Sequence, residues 1–351
     1  MLKQFQIILF FISMILFAEN QTIHSEVKTE IDLQARQTIP VLNLNDYKYG
    51  DEASKSKFIQ EVAYALHEYG FFALENSDVD GKILKNGFNS AISFFDHDHS
   101  YKLLYQNKYP NRGYKSFNLD NTLKTPDLQE YYHIGRNIDD EMLERLNVSP
   151  ISPNVWPDSP TNFQENLSAL YNEFDRSGQY VLEACSLSMG EDIDFLSKMT
   201  EHSDSIMRFI HYLDIPPDAY QNLTWKVAHK DPNLITFIYG ITSAGLEIQR
   251  PDGSWLKVEY VPGQVIVSGS NMLENLSNGL FKSTPHRVMT YRNHSRYAIP
   301  FFYHVRKELD ISPTEKAIER TGGKALYPSM TAQKALEGHH WFGGKAQEKP
   351  N

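Results

Sequence analysis

Residues 224–240, TWKVAHKDPNLITFIYG, decide the fold of this chain. Two runs rich in aromatic and β-branched residues, 224–228 and 234–239, flank a short polar segment, which predicts two strands with a tight connection. Similar short runs recur after residue 205, separated by turn signals such as Pro-Asp-Gly and Pro-Gly. The other predicted strands are 206–212, 245–249, 255–260, 264–268, 286–291 and 297–305. Eight short strands at this spacing predict a mainly β jelly roll or barrel.

The chain before residue 205 shows a mixed pattern of helices and strands. The predicted elements are a strand at 39–44, a helix that ends at Gly70, a strand at 71–74, a helix at 81–95 and a long helix from about 162 to 189. We therefore predict an N-terminal helical and mixed region that packs on a β core, with a helical tail behind it. The predicted boundaries are 38–204, 205–306 and 307–351.

Composition narrows the functional class. The 351 residues carry a formal net charge of −10, which argues against binding to nucleic acid or anionic membranes. The single cysteine, Cys185, excludes an intrachain disulfide framework and a Cys-based zinc site. It lies on the apolar stripe of the long predicted helix, which indicates a buried packing thiol. An acidic globular protein that acts on a small molecule is the class these features favour.

The N-terminus has the pattern of an export signal. Lys3 precedes an apolar run from Ile7 to Ala18, which is too short to cross a bilayer comfortably but fits a signal-peptide core. We predict a signal peptide at 1–18, followed by a polar linker at 19–37, and hence an exported protein that has no membrane contact after cleavage. An uncleaved segment, or a cytoplasmic protein with a misread leader, is the alternative.

Three residues form a candidate metal site. His229 and Asp231 are two positions apart in a β-like stretch, so their side chains point to the same face. His286 follows 55 residues after Asp231, in another predicted strand. Two histidines and one carboxylate are the set that holds Fe(II) with three positions open. On their own, His229 and Asp231 fit a turn or a core hydrogen bond equally well. Arg296, ten residues beyond His286, could bind a carboxylate through its planar fork.

Other histidine clusters in the chain imitate this pattern. They lie in polar, loop-like surroundings with no paired strands behind them, so we interpret them as solvated surface. These clusters are His202-Ser-Asp204, His97 and His99 with Asp96 and Asp98, and His339-His340.

The sequence around the candidate triad resembles the isopenicillin N synthase-like family of Fe(II)- and 2-oxoglutarate-dependent oxygenases. The likeness extends from about Ile39 to Val305. The motifs that carry it occur in the family's order: Ile39-Pro-Val, Tyr69-Gly-Phe-Phe72, Asn111-Arg-Gly-Tyr114, Asp127-Leu-Gln-Glu130, Arg208-Phe-Ile-His-Tyr212, Lys282-Ser-Thr-Pro-His-Arg-Val288 and Arg296-Tyr-Ala-Ile-Pro-Phe-Phe302.

This resemblance implies a double-stranded β-helix, which is a distorted jelly roll, with flanking helices. It implies that His229, Asp231 and His286 are iron ligands and that Arg296 binds the distal carboxylate of 2-oxoglutarate. Tyr212 matches a tyrosine that often hydrogen-bonds this co-substrate, although a core tyrosine fits equally. The implied reaction uses Fe(II), 2-oxoglutarate and O2 to hydroxylate or desaturate a small organic molecule, with succinate as by-product. The oligomeric state is left open.

Four positions near the site depart from the family's pattern. Ala298 stands where the family has a serine that shares the carboxylate with the arginine, Asn233 replaces a glycine, and Ser270-Asn271 replaces Gly-Asp. Two alternatives stay open on this ground. One is an iron oxidase of the same fold that does not use 2-oxoglutarate, and the other is a non-catalytic secreted jelly-roll binding protein. A zinc hydrolase is a remote third, because no general-base carboxylate accompanies the triad.

Overall fold

A computed structural model describes residues 38–106, 108–116, 128–214, 224–289 and 295–338. The helices in these ranges are α1 (Leu44–Lys48), α2 (Glu52–Glu68), α3 (Gly81–Phe95), α4 (His99–Leu103), α5 (Asp140–Arg145), α6 (Phe163–Ser177), α7 (Gln179–Met189), α8 (Phe195–Thr200), α9 (Asn271–Leu276), α10 (Glu315–Arg320) and α11 (Ala332–Glu337). The strands are β1 (Val41–Asn43), β2 (Phe71–Glu75), β3 (Gly113–Lys115), β4 (Gln129–Gly135), β5 (Ile206–Tyr212), β6 (Thr224–His229), β7 (Ile235–Tyr239), β8 (Leu246–Gln249), β9 (Trp255–Lys257), β10 (Val265–Gly269), β11 (His286–Met289) and β12 (Arg296–Tyr303).

The strands form two sheets. The larger has eight strands in the order β1-β2-β10-β7-β12-β5-β4-β3, and the smaller has four in the order β6-β11-β8-β9. Apart from the parallel β1–β2 pair, the paired strands are antiparallel. This arrangement confirms the mainly β jelly-roll core with flanking helices. Four strands that precede residue 205 belong to the larger sheet, so that sheet spans the predicted boundary at residue 205.

The N-terminal helices pack around this core and bring one turn close to His286. Asp51 caps α2 through the backbone N–H of Ser54, and α2 packs on α7. Gly70 joins α2 to β2 with a φ of 69°, and a Cβ there would lie 2.4 Å from the Thr284 hydroxyl oxygen. The close approach of these two segments places the ring of Phe71 edge-on to His286, with centroids 5.4 Å apart.

The long predicted helix at 162–189 is two helices, α6 and α7, that meet at Gly178. The cause is Tyr303 of β12, whose hydroxyl lies 2.7 Å from the carbonyl oxygen of Phe174 and 2.9 Å from that of Asp175. A Cβ at position 178 would lie 2.2 Å from that hydroxyl. The tyrosine therefore interrupts the helix from outside, while Gly190 ends α7 with a φ of 83°, as predicted.

The predicted strands are all present, most with ends shifted by one or more residues. Two further strands, β3 and β4, were not predicted, and they extend the larger sheet beyond β5. The helices α10 and α11 agree with the predicted helical tail. The predicted signal peptide at 1–18, the linker at 19–37 and His339-His340 lie outside the described residues. None of the described helices combines the length and apolar character needed to span a bilayer.

Candidate active site

The structure brings His229, Asp231 and His286 together. His229 ends β6 and His286 begins β11, and the two residues face each other in this antiparallel pair. Their ring centroids are 4.3 Å apart. The Oδ1 atom of Asp231 lies 3.5 Å from Nε2 of His229 and 3.8 Å from Nε2 of His286. Within the described ranges, this is the one group of histidine and acidic side chains close enough to hold a metal ion.

Backbone carbonyls orient both rings. Nδ1 of His229 donates to the carbonyl oxygen of Val227 at 2.8 Å, and Nδ1 of His286 lies 3.3 Å from that of Thr284. A neutral imidazole that donates through Nδ1 has its lone pair on Nε2. Both Nε2 atoms face Asp231, so the two rings present acceptor nitrogens to the same point.

The protonation states also suit a cation. Burial alone would raise the pKa of Asp231, but the facing imidazoles and the Thr236 hydroxyl outweigh it and hold the pKa well below its usual range. Burial lowers the pKa of His286 to about 4, although Asp231 opposes the shift. At neutral pH the cluster therefore contains an ionised carboxylate and a neutral, buried imidazole, which are the forms that bind metal ions.

A chain of hydrogen bonds fixes the carboxylate of Asp231. The Thr236 hydroxyl donates to its Oδ2 at 2.8 Å, and the amide nitrogen of Asn233 donates to that hydroxyl at 3.1 Å. Asn233 is fully buried and also donates to the carbonyl oxygen of Ile235 at 2.8 Å. Thr236 was not among the residues predicted to form the site. Its signal was a single polar residue inside the apolar strand Ile235–Tyr239, five positions after the candidate ligand.

Arg296 lies at another part of the same cavity. It is 2% exposed, its Nε donates to the carbonyl oxygen of Ser243 at 3.0 Å, and its guanidinium lies 4.7 Å from the ring centre of Tyr212. Its buried Nη1 has no hydrogen-bond partner among the residues that the structure describes. Burial lowers the pKa of Arg296, but an arginine stays cationic at neutral pH. A buried cation with an unused donor fits a carboxylate ligand.

The cavity that connects these groups has a volume of about 380 Å³ and is lined from both sheets. It contains the His-Asp-His cluster, Arg296 and Tyr212. The lining of the cavity also includes Ala298, which is 1% exposed and follows Arg296 by two residues on β12. No hydroxyl is present at that position to assist Arg296, as the sequence indicated.

The two imitating clusters that lie within the described residues do not converge on a common point. Asp204 forms an ion pair with Arg112, while His202 stands in a left-handed turn with a φ of 57°. His97 lies 3.0 Å from the Ser159 hydroxyl and packs on Tyr101. These side chains have ordinary structural partners. The interpretation of Asp204 as solvated surface is wrong, because its side chain is only 15% exposed and pairs with the buried side chain of Arg112.

Comparison with known protein families agrees with this geometry. Residues 39–159 match the N-terminal region described as that of the non-haem dioxygenase in morphine synthesis. Residues 203–305 match the 2OG-Fe(II) oxygenase superfamily. The second range contains all three residues of the candidate metal cluster and Arg296.

Individual relatives extend over most of the chain. A 2-oxoglutarate-Fe(II) type oxidoreductase of Aspergillus fumigatus is 27% identical over 283 residues, which cover 76% of this chain and 82% of the relative. A crystal structure of a 2OG-Fe(II) oxygenase family protein from Caulobacter crescentus is 30% identical, with a TM-score of 0.76, and covers 86% of this chain and 98% of that chain.

Another solved structure has the same fold at a lower sequence identity. A full-length Neurospora crassa protein, solved in complex with alpha-KG, is 22% identical, with a TM-score of 0.77, over 87% of this chain and 97% of that chain. The two family matches, the Caulobacter crescentus structure and the His-Asp-His cluster together settle the family and its chemistry. The chain belongs to the isopenicillin N synthase-like family of Fe(II)/2-oxoglutarate-dependent oxygenases, enzymes that use Fe(II), 2-oxoglutarate and O2 to oxidise small molecules.

Proposed function

We propose that His229, Asp231 and His286 hold Fe(II), that Arg296 binds the distal carboxylate of 2-oxoglutarate with Tyr212 beneath it, and that the enzyme hydroxylates or desaturates a small organic molecule. One observation carries this proposal. The cavity that contains three convergent ligand atoms also contains a buried arginine with an unused Nη1 donor.

The donor set fits a ferrous ion. Bonds from a metal to nitrogen or oxygen are about 2.0–2.2 Å long, so two donors on one ion lie no more than about 4.4 Å apart. The separations of 3.5 and 3.8 Å between Asp231 and the two imidazoles satisfy this limit. Two histidines and one carboxylate leave the remaining positions of the ion open for co-substrate and O2. Iron bound there supplies O2 activation, coupled to the conversion of 2-oxoglutarate into succinate.

The residues of the chain supply position and a shielded environment. Thr236 holds one oxygen of Asp231, so that its other oxygen faces the imidazoles. The Ser243 carbonyl and the Tyr212 ring fix the guanidinium of Arg296 before any ligand arrives. Because Arg296 is already ordered, less conformational entropy is lost when it binds a carboxylate.

The alternatives that the sequence left open are not favoured by the relatives. The matched proteins are named as 2-oxoglutarate-Fe(II) oxidoreductases and oxygenases. A binding protein without turnover would not need the intact triad. An oxidase that does not use 2-oxoglutarate would not need a residue that binds the distal carboxylate of 2-oxoglutarate. The substitution by Ala298 removes one hydrogen bond to a carboxylate, worth about 1.5–3 kcal/mol, which weakens such an anchor without abolishing it because Arg296 remains.

The test is anaerobic assembly. Purified protein that receives Fe(II) and 2-oxoglutarate without O2 should develop a visible charge-transfer band, and the His229→Ala variant should not. His202→Ala, which removes a loop histidine, is the matched control and should keep the band. A metabolite-library screen for substrate-stimulated succinate release then identifies the substrate. Correctly folded wild-type protein without the band would contradict the proposal.

We also propose that the protein is exported, because the apolar run from Ile7 to Ala18 has the size of a signal-peptide core. N-terminal sequencing of the mature protein should begin near Glu19. Retention of Met1 on protein recovered from the cytosol would show that the leader has been misread.

A further inference from the structure

The cavity is cationic although the chain is acidic. Its lining includes three cationic side chains, Arg208, Lys226 and Arg296, and a single described carboxylate, that of Asp231. The whole chain, in contrast, has a net charge of −10. In the proposed function, Asp231 faces the iron and Arg296 faces 2-oxoglutarate. The proposed function assigns no ligand to Arg208.

Arg208 and Arg296 occupy different ends of the cavity. Arg296 stands opposite Tyr212 of β5, and Arg208 is four residues before Tyr212 on the same strand. Four residues of strand extend about 13 Å, so a five-carbon diacid that binds the metal and Arg296 does not also require Arg208.

Strand register places Arg208 on the side of the metal cluster. Thr236, which holds Asp231, stands opposite Phe302 of β12, and Phe302 stands opposite Ile206 of β5. Arg208 is two residues from Ile206, whereas Tyr212 is six residues away. A group bound at Arg208 would therefore lie near the metal cluster, where a substrate must be oxidised.

The side chain of Arg208 is held in place without being neutralised. The rings of Tyr131 and Phe302 lie 4.5 and 4.9 Å from its guanidinium carbon. Its Nε donates to Nε2 of His133 at 2.6 Å. Burial and the neighbouring Arg208 hold the pKa of His133 well below its usual range, so this imidazole accepts as a neutral group. In the described part of the chain no acidic side chain forms an ion pair with Arg208.

We propose that Arg208 binds a carboxylate of the primary substrate, and that this enzyme therefore oxidises organic acids in preference to neutral molecules. The proposal rests on the proposed function of the same site. Tyr131 and Phe302 pack against the guanidinium and His133 accepts from its Nε, so its Nη nitrogens remain for the ligand, and a planar guanidinium binds a carboxylate through two parallel hydrogen bonds.

The test compares carboxylic acids with their own primary amides. A panel of aromatic and aliphatic monocarboxylates, which includes benzoate, phenylacetate and octanoate, is titrated calorimetrically into protein loaded anaerobically with Fe(II) and 2-oxoglutarate. The acids that bind should do so at least about tenfold more tightly than their amides, since a hydrogen bond to a charged group commonly changes an affinity by that factor. Equal affinity of acids and amides, binding of amides alone, or binding of no acid overturns the proposal.

Variants show whether Arg208 is responsible. Arg208→Gln should weaken binding of the acids at least about tenfold and leave the amides within about twofold. Arg145→Gln removes an exposed arginine on α5 and should match wild type. If circular dichroism shows that Arg208→Gln does not fold, Arg208→Lys is used, which keeps the charge but loses the fork and should weaken the acids selectively.

The two proposals fail in different ways. If wild-type protein forms the Fe(II)–2-oxoglutarate band but does not distinguish acids from amides, the role of Arg208 is wrong and the proposed function stands. If the band does not form, the proposed function itself is wrong.

Discussion

Replacement of Thr236 by valine should loosen the metal site and leave the fold intact. Thr236 is 1% exposed, and its hydroxyl donates to Oδ2 of Asp231 at 2.8 Å. Valine has nearly the same volume, so no cavity forms. Asn233 loses the threonine oxygen as an acceptor, but its amide nitrogen still donates to the carbonyl oxygen of Ile235 at 2.8 Å.

The magnitude follows from the kind of bond removed. A hydrogen bond to an ionised group contributes about 1.5–3 kcal/mol, so the free energy of unfolding of the metal-free protein should fall by up to that amount. Asp231 can then rotate, and metal binding must order it again. Loss of the partner that orients a metal ligand typically weakens metal affinity about 10- to 100-fold, which is the increase we expect in the dissociation constant.

The assay is a titration with Mn(II), which is stable in air, followed by electron paramagnetic resonance, together with urea denaturation. Thr200→Val is the matched control, because Thr200 is also 1% exposed and its hydroxyl donates to the carbonyl oxygen of Ser197 at 3.0 Å. The control should lose about 0.5–1.5 kcal/mol of stability and keep its Mn(II) affinity. If both variants bind Mn(II) as tightly as wild type, Thr236 does not orient the carboxylate.

Three further predictions concern other parts of the molecule. Ala298→Ser adds a hydroxyl beside Arg296 and should tighten 2-oxoglutarate binding at least about tenfold by calorimetry, because the new hydrogen bond is to a carboxylate; unchanged affinity would contradict this. Glu130→Gln leaves buried Lys102 without its 2.8 Å ion pair and should cost about 3–5 kcal/mol of unfolding free energy at pH 7. Burial alone would raise the pKa of Glu130, but its hydrogen-bond donors outweigh burial and lower the pKa below its ordinary value of 4.5. In urea denaturation, the stability of wild type over Glu130→Gln should therefore be full above that pH and should shrink as the pH falls through the pKa of the folded state. A stability difference that does not change with pH would contradict this. Burial raises the pKa of the Cys185 thiol, so iodoacetamide should label it in urea but not in the native protein, as mass spectrometry would show.

Much of the candidate site could be predicted from local sequence. Strand alternation placed His229 and Asp231 on a common face. His286 and Arg296 joined them as candidates because they lie in other predicted strands and have suitable chemistry, and the resemblance then implied the role of each residue. Spacing could not show that His229 and His286 stand directly opposite each other, because the register of two strands separated by this much chain depends on the whole sheet. Spacing also could not distinguish the pair His202 and Asp204 from the candidate ligands. Only the polar, loop-like sequence around that pair argued against a metal site there.

The elements that were missed depend on partners far away in the sequence. The break at Gly178 is caused by Tyr303, more than a hundred residues later, and one glycine inside a helical pattern is too weak a signal to predict it. The strand β4 has buried residues on both faces, so its sequence lacks the alternation of a half-exposed strand. Without β4, the sequence could not place His133 opposite Arg208, where it fixes the second arginine of the cavity.

The departures from the family's pattern act at separate places, and this makes their effects separable. Asn233 and Ser270 lie around Thr236, with the Ser270 hydroxyl 3.4 Å from that of Thr236, so they can influence only the orientation of the metal-binding carboxylate. Ala298 is four residues along β12 from Phe302, the residue opposite Thr236, which is a distance of about 13 Å. Sites more than roughly 7–10 Å apart without shared partners usually act additively. Metal affinity measured without 2-oxoglutarate should therefore report on Asn233 and Ser270, and co-substrate affinity measured at saturating metal should report on Ala298.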